Sequence, residues 1–390
     1  MRTIPYYVLA LAMSVPAVLV GVEIPPFLVL GTQTLALQSD FRVFYTPACM
    51  LRTHQAKDIY DFPSIRRVQD TRVAPDNGAV PYLHPAYEAV FFIPLSFIPY
   101  RFAYLIWAGV NFAVLAWIYS LLRPRLKNLR ALGPKWISPG LLLGFFPVGF
   151  TILAGQDSLL LLLITVLAFL HVSTSEFRAG ALLGLAMFRF QVLLPIILLF
   201  ILWRSFKFVF GWLASSAIVL SASAVITGVG AQLQYAKLLL QMGAISYWPL
   251  LRRMPNLRAL LLAYGVGKLP LLILSLGFFL TAAVTGMKQD SEQRFLLAVS
   301  VSCVVTYFLF MHDLSLLALP ILVAMDAAAL CVNWRKLALL TAIPVLFAMF
   351  WFATDRFYVG ALFTSIFLIM KLRGTRASWP MDPMFVEAVG

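Results

Sequence analysis

The sequence predicts an all-α polytopic membrane protein, and three observations carry that prediction. Of its 390 residues, 62% are hydrophobic and only 12% charged, with a mean hydropathy of +0.89. The apolar residues come in repeated blocks close to the ~20 residues that a bilayer-spanning helix needs. Runs such as 159–170 and 269–280 outlast those of a soluble core, and they lack the alternation that marks the strands of a membrane barrel.

Taken in order, the blocks fall at roughly 5–24, 102–122, 138–154, 157–171, 178–189, 191–203, 208–228, 266–286, 295–311, 313–330, 336–352 and 356–371, about twelve spans in one transmembrane domain over 1–390. Arg2 precedes the first block and no small-residue cleavage site follows it, so this block reads as a retained span. Segment 178–203 is either one tilted helix or two short ones turning near Arg189-Phe190-Gln191. The hairpin keeps Arg204 and Lys207 on the same side as the other basic loops and is preferred for that reason. Two long segments remain, 38–101 and 229–265, both assigned to the outer side. The first holds the turn-prone Pro75-Asp76-Asn77-Gly78 and a short apolar piece, 86–98, interrupted by Pro94, which predicts interfacial helices joined by loops.

The net charge of +14 does not mark a nucleic-acid-binding face, because the basic residues sit in short clusters between apolar blocks. Arg123, Arg125, Lys127, Arg130 and Lys135 form one acid-free loop, Arg335 and Lys336 another, and Lys371, Arg373 and Arg376 a third. The positive-inside rule makes all three cytoplasmic, together with both termini and a tail over 372–390. Cys49, Cys303 and Cys331 make no disulfide framework. There is no Walker loop, no GxGxxG, no HExxH and no cysteine–histidine zinc spacing.

With this topology the unusual polar residues collect at one face: Asp40, His84, Gln156-Asp157, Arg189, Asn256, His312-Asp313 and Asp355. A one-sided collection predicts a site at the membrane surface, whereas transport favours ionisable groups near mid-bilayer. Asp40 has two readings: N-cap of the helix beginning at Phe41, or general base at the membrane boundary. His312-Asp313 interrupts an apolar stretch, either as a capped interfacial helix start or as a site pair in which His312 donates to a phosphate oxygen. No acidic residue lies between Glu176 and Asp290, while Arg252, Arg253, Arg258, Lys237 and Lys268 fall on the outer side. That basic surface suits a phosphate-bearing lipid or ordinary anionic headgroups. Tyr247 and Trp248 read as interface aromatics.

The chain resembles glycosyltransferase family 87, the polyprenol-phosphate-mannose-dependent mannosyltransferases of GT-C architecture. The resemblance rests on Ser39-Asp40-Phe41 with Tyr45, Ile59-Tyr60-Asp61, Pro81-Tyr82-Leu83-His84-Pro85 with Pro94-Leu95, Gly155-Gln156, Phe188-Arg189-Phe190-Gln191, and His312-Asp313 before Leu317 and Pro320. It implies a GT-C-like bundle and a sugar donor carried on polyprenyl phosphate. It further implies a lipid or glycan acceptor at the outer face of the inner membrane, with Asp40 the catalytic base and His312 its assistant. Arg189, Arg252, Arg253 and Arg258 become the expected phosphate contacts. Tyr45, His84, Gln156, Asp157, Gln191, Asn256 and Asp313 become the expected substrate contacts. No cofactor or metal is expected, because a phosphate leaves without protonation at neutral pH and basic residues can stabilise its charge. Arg189 stands where such proteins commonly have lysine, and Asp157 where many have asparagine. The rival class is a transporter or flippase of a lipid-linked sugar, which needs no base; a third is a structural subunit.

Overall fold

The computed structural model describes residues 28, 32, 36–37, 39–75, 78–131, 135, 137–244 and 254–330. The helices, in order, are α1 (Arg42–Arg52), α2 (Phe62–Arg72), α3 (Ala86–Phe91), α4 (Tyr100–Leu122), α5 (Lys127–Ala131), α6 (Ile137–Leu143), α7 (Phe146–Ala154) and α8 (Ser158–His171). They continue with α9 (Glu176–Gly184), α10 (Phe190–Leu202), α11 (Phe206–Thr227), α12 (Val229–Ala244), α13 (Leu257–Ala263), α14 (Lys268–Gly286), α15 (Ser291–Val305) and α16 (Ala318–Leu330). Short 3-10 turns intervene, among them Met187–Arg189 and His312–Leu317. No strand occurs among the described residues.

The protein is a helical membrane protein, with four described segments long and apolar enough to cross a bilayer: Tyr100–Arg125, Phe206–Thr227, Lys268–Gly286 and His312–Ala329. Exposed apolar side chains such as Phe210, Ile218 and Val225 on α11 and Leu269, Leu272 and Ile273 on α14 give these helices lipid-facing surfaces. The expected count of about twelve is not reached among the described residues. Segments 5–24, 336–352 and 356–371 lie outside them. The expected span 138–154 is divided between α6 and α7. Pro147 in the first turn of α7 starts a new helix more readily than it continues an old one. α8 has 14 residues, about 21 Å of helix against the roughly 30 Å of a hydrocarbon core.

Segment 178–203 is not one straight helix. α9 and the stretch Met187–Leu202 meet at a 70° bend, and counted as one broken span they make a fifth candidate. Such a break is either a broken span or a re-entrant loop, and the re-entrant form returns Arg204 and Lys207 to the side from which the segment entered. The break is stabilised from outside the segment. The Tyr87 hydroxyl donates to the Leu185 carbonyl (2.8 Å) and accepts from the Phe188 N–H (3.0 Å), satisfying two of the backbone groups that the break frees. The Tyr87 backbone N–H in turn donates to Ser223 Oγ of α11 at 3.0 Å, so α3 is tied to two helices at once.

Glycine sets the closest helix approach. A Cβ built on Gly180 would stand 1.9 Å from the Phe208 carbonyl oxygen, and one on Gly211 2.1 Å from that of Phe177. α9 and α11 therefore pack backbone against backbone, as small residues allow in membranes, where dispersion contact drives association.

Segment 38–101 folds onto the start of α4. Phe41, Phe44 and Tyr45 of the loop pack with Phe92, Tyr100, Tyr104 and Trp107 in one buried aromatic cluster. Phe44 and Phe92 stack with ring centroids 4.9 Å apart. The far end of α4 is tied separately: Arg125 pairs with Glu292 at 2.9 Å, and the Asp326 carboxylate accepts from Asn128 Nδ2 and the Leu129 N–H, both at 2.8 Å.

Candidate functional site

Five separate stretches of chain bring charged and polar groups to one place. The first is Ser39-Asp40 ahead of α1. Asp40 does not cap that helix. The N-cap position belongs to Phe41 and no side-chain capping bond is made there. Instead the half-buried Asp40 carboxylate accepts from Gln156 Nε2 at 2.9 Å, across 116 positions of sequence.

The second stretch is the turn Gly155-Gln156-Asp157 between α7 and α8. Gly155 ends α7 in the left-handed region at φ 67°, where a Cβ would sit 2.8 Å from the Cβ of Phe41. Glycine therefore serves both the turn and the close approach of the loop carrying Asp40. α4 fixes the same turn: Trp107 Nε1 donates to the Gly155 carbonyl (3.1 Å) and Asn111 Nδ2 to that of Gln156 (3.3 Å). The Asp40 N–H donates to the Ala154 carbonyl at 2.8 Å, so the Asp40 loop is tied by a backbone bond to the end of α7.

Arg189, at the bend between α9 and α10, is the hub. Its guanidinium donates to Gln156 Oε1 at 2.8 Å, pairs directly with Asp157, and lies 3.5 Å from Asp313 Oδ1. Asp157 and Asp313 are fully buried, and Arg189 is 4% exposed. Asp157 makes no side-chain capping bond to α8. Asp313 accepts from Ser158 Oγ (3.1 Å) and the Phe310 N–H (3.0 Å). Arg189 is thus committed to carboxylates and an amide, and its proposed phosphate contact must compete with them.

His84 and Glu88 complete the cluster from the start of α3. His84 Nδ1 lies 2.7 Å from Glu88 Oε2 and 3.8 Å from Asp157 Oδ2. One ligating atom from each of the three falls within 4.8 Å of the others, a set of donors able to hold a metal ion. Arg189 takes the other carboxylate oxygen of Asp157, which leaves His84 Nδ1 and Asp157 Oδ2 facing each other with no hydrogen-bond partner among the described residues. Burial pushes the Glu88 carboxyl up to about 7, and burial, followed by the charge of Arg189, lowers His84 to about 4. Rings wall the group in: Tyr235, Tyr60, Tyr82 and His84 form one continuous stack.

The remaining expected residues divide clearly. His312 is buried beside Asp313, its Nε2 lacks a hydrogen-bond partner, and it lies within electrostatic reach of Asp40. Tyr45 is in the aromatic cluster, its hydroxyl donating to the Ile98 carbonyl at 2.8 Å. The Gln191 carbonyl accepts from Thr306 Oγ1 at 3.2 Å. Asn256 caps α13, accepting from the Ala259 N–H at 3.0 Å and donating to the Thr306 carbonyl at 2.8 Å. Arg258 lies over the Tyr307 ring, 3.6 Å from its centroid. These last two brace the segment leading to His312 and stand apart from the Arg189 hub. Arg252, Arg253, Tyr247, Trp248 and Asp355 lie outside the described residues.

Glu88 was missed from sequence. It is the sole acidic residue of the apolar piece 86–98 and falls four places after His84, a pairing that helical spacing would have exposed.

A buried arginine, linked through Gln156 to Asp40 and through Asp157 and Asp313 to two histidine-bearing segments, lies in the stretch that carries the family resemblance. The model of glycosyltransferase family 87 matches residues 82–312, more than half of the chain. The chain belongs to glycosyltransferase family 87. Comparisons with curated proteins and with solved structures give no match. The matched range of this glycosyltransferase begins at Tyr82 and ends at His312, so it takes in His84, Glu88, the Gly155–Asp157 turn and Arg189, with Asp40 ahead of it and Asp313 just beyond.

Proposed function

We propose that this family 87 glycosyltransferase moves a single sugar, mannose, from a polyprenyl-phosphate carrier to a hydroxyl of a lipid or glycan acceptor at the outer face of the inner membrane, with inversion. The observation that carries the proposal is the state of Asp40: a carboxylate free of capping duty, half-buried, and aimed by the Gln156 amide at the edge of a buried charged site.

Asp40 accepts the proton of the acceptor hydroxyl as that oxygen attacks the anomeric carbon. The bond from that carbon to the phosphate oxygen breaks on the opposite face, its electrons stay with the phosphate, and polyprenyl phosphate leaves without needing a proton. His312, with an unmet Nε2, donates to the phosphate or orients the acceptor. Arg252 and Arg253 are the proposed contacts to the phosphate, on the strength of the acid-free basic stretch they occupy. The buried aromatic and aliphatic surroundings exclude water, which would otherwise compete as acceptor.

Purified protein incubated with polyprenyl-phosphate mannose and a membrane lipid extract, then resolved by mass spectrometry, tests donor and acceptor together. New glycolipid one hexose heavier than an extract lipid is the expected product. Flipping of the donor across vesicles without any sugar transfer would instead establish the transporter reading.

A further inference from the structure

The geometry points to Gln156 as a positioning residue: its side-chain amide, held in one orientation by Arg189, aims the Asp40 carboxylate, and the buried acids Asp157 and Asp313 are there to hold Arg189. The inference rests on the proposed reading of Asp40 as the base, and it replaces the expectation that Gln156 and Arg189 touch substrate.

The argument starts from what each group can do. A carboxylate only accepts hydrogen bonds and a guanidinium only donates them. Gln156 stands between the two, with Nε2 2.9 Å from Asp40 Oδ2 and Oε1 2.8 Å from Arg189 Nη2. Reversing the amide would set oxygen against carboxylate and NH2 against guanidinium, losing both bonds. The orientation therefore follows from the partners.

Gln156 itself has little freedom. It is 7% exposed. Its backbone N–H donates to the Thr151 carbonyl at 3.0 Å, and its own carbonyl accepts from Asn111 of α4. Arg189 is fixed by Asp157 on one side and Asp313 on the other, and Asp313 is held by Ser158 and the Phe310 N–H. Five helical elements, α4, α7, α8 and the 3-10 turns Met187–Arg189 and His312–Leu317, thus converge on the direction of one N–H, and that N–H meets Asp40. The backbone of the Asp40 loop is fixed as well, by the Asp40 N–H on the Ala154 carbonyl and by Ser39 against Tyr100, so the Gln156 amide acts on the carboxylate itself. His312 and Tyr100 lie within electrostatic reach of Asp40 as well.

The test measures kcat and KM for polyprenyl-phosphate mannose at saturating lipid extract, in wild type, Gln156→Met, Gln156→Glu and Asp40→Asn. Gln156→Met keeps the length of the side chain and removes the donor. It is expected to lower kcat about 100-fold, the usual cost of a misplaced reacting group, with KM unchanged. Gln156→Glu keeps the Arg189 pair and so the fold, and sets a second carboxylate against Asp40. Its kcat falls as well, and the acid limb of its rate–pH profile moves to higher pH because like charge disfavours ionisation. A raised KM with normal kcat in either variant would make Gln156 a substrate contact and overturn the inference, as would near-normal kinetics in both. If Gln156→Met does not fold, Gln156→Glu decides alone by its pH limb. Asp40→Asn separates the two levels: normal turnover there overturns the base itself, whereas its inactivity alongside normal Gln156 variants overturns only the positioning role.

Discussion

Arg189 holds the buried Asp157 and Asp313, and beside it His84, Glu88 and Asp157 carry the pH behaviour of the site. Their folded states differ from the unfolded chain in opposite senses. Burial raises Glu88 from 4.5 to about 7, so the stability it contributes is complete below pH 4.5 and is lost as pH rises through about 7. Burial lowers His84 from 6.5 to about 4, so its contribution is complete above pH 6.5 and is lost as pH falls towards about 4. The two slopes oppose each other across the same window. Burial likewise raises Asp157 from 3.8 to about 7, so two raised carboxyls stand against one lowered imidazole. Removing the imidazole leaves only the carboxyls, and His84→Asn is expected to lose melting temperature more steeply than the wild type as pH rises from 5 to 7. Thermal unfolding of the detergent-solubilised protein across that range checks the sign, and a melting temperature that rises with pH in His84→Asn would show that the carboxyls are not buried as described.

At the scale of elements, two features hold the site and each has its own test. The bend beside Arg189 depends on the Tyr87 hydroxyl, which serves the Leu185 carbonyl and the Phe188 N–H. Tyr87→Phe leaves both backbone groups unmet and should cost about 1–3 kcal/mol, with turnover falling because Arg189 sits on the freed turn; unfolding and rate measurements read the two effects. The α9–α11 contact depends on Gly180, where a methyl would meet the Phe208 carbonyl at 1.9 Å. Gly180→Ala is expected to destabilise by roughly 1–3 kcal/mol through overpacking. Gly109→Ala in α4, where a Cβ meets nothing within 4 Å, should instead be neutral or gain up to about 1 kcal/mol of helix propensity. Equal effects at the two glycines would contradict the close packing.

The same elements show where sequence reading succeeds. The expected spans 102–122, 208–228 and 266–286 correspond to α4, α11 and α14 to within two residues at either end, because an uninterrupted apolar run carries its own evidence. The bend at 185–187 could not be read that way, since the tyrosine that stabilises it lies about a hundred positions earlier and only folding brings it there. Charge parity bears only on which side the chain leaves this segment, and a 70° break fits either a broken span or a re-entrant loop.

For the molecule as a whole, the gathering of Asp40, His84, Gln156, Asp157, Arg189 and Asp313 was legible, because polar residues costly in a membrane must find one another. Their division of labour was not. Sequence counts charges, and only the fold shows that Asp157 and Asp313 occupy Arg189, that Asn256 and Arg258 brace the segment before His312, and that Gln156 faces the base.

That division makes Asp40 the one carboxylate of the group with an exposed side and no cation bound to it in the hub, which is what a base for an incoming hydroxyl requires. Asp40→Asn keeps the shape and accepts the same Gln156 bond through its amide oxygen, so donor binding and melting temperature should match the wild type. The rate of sugar transfer from polyprenyl-phosphate mannose, measured on the folded, donor-binding variant, should fall at least 100-fold, the lower range for loss of a general base. Transfer at the wild-type rate would contradict the assignment of Asp40 and the mechanism built on it.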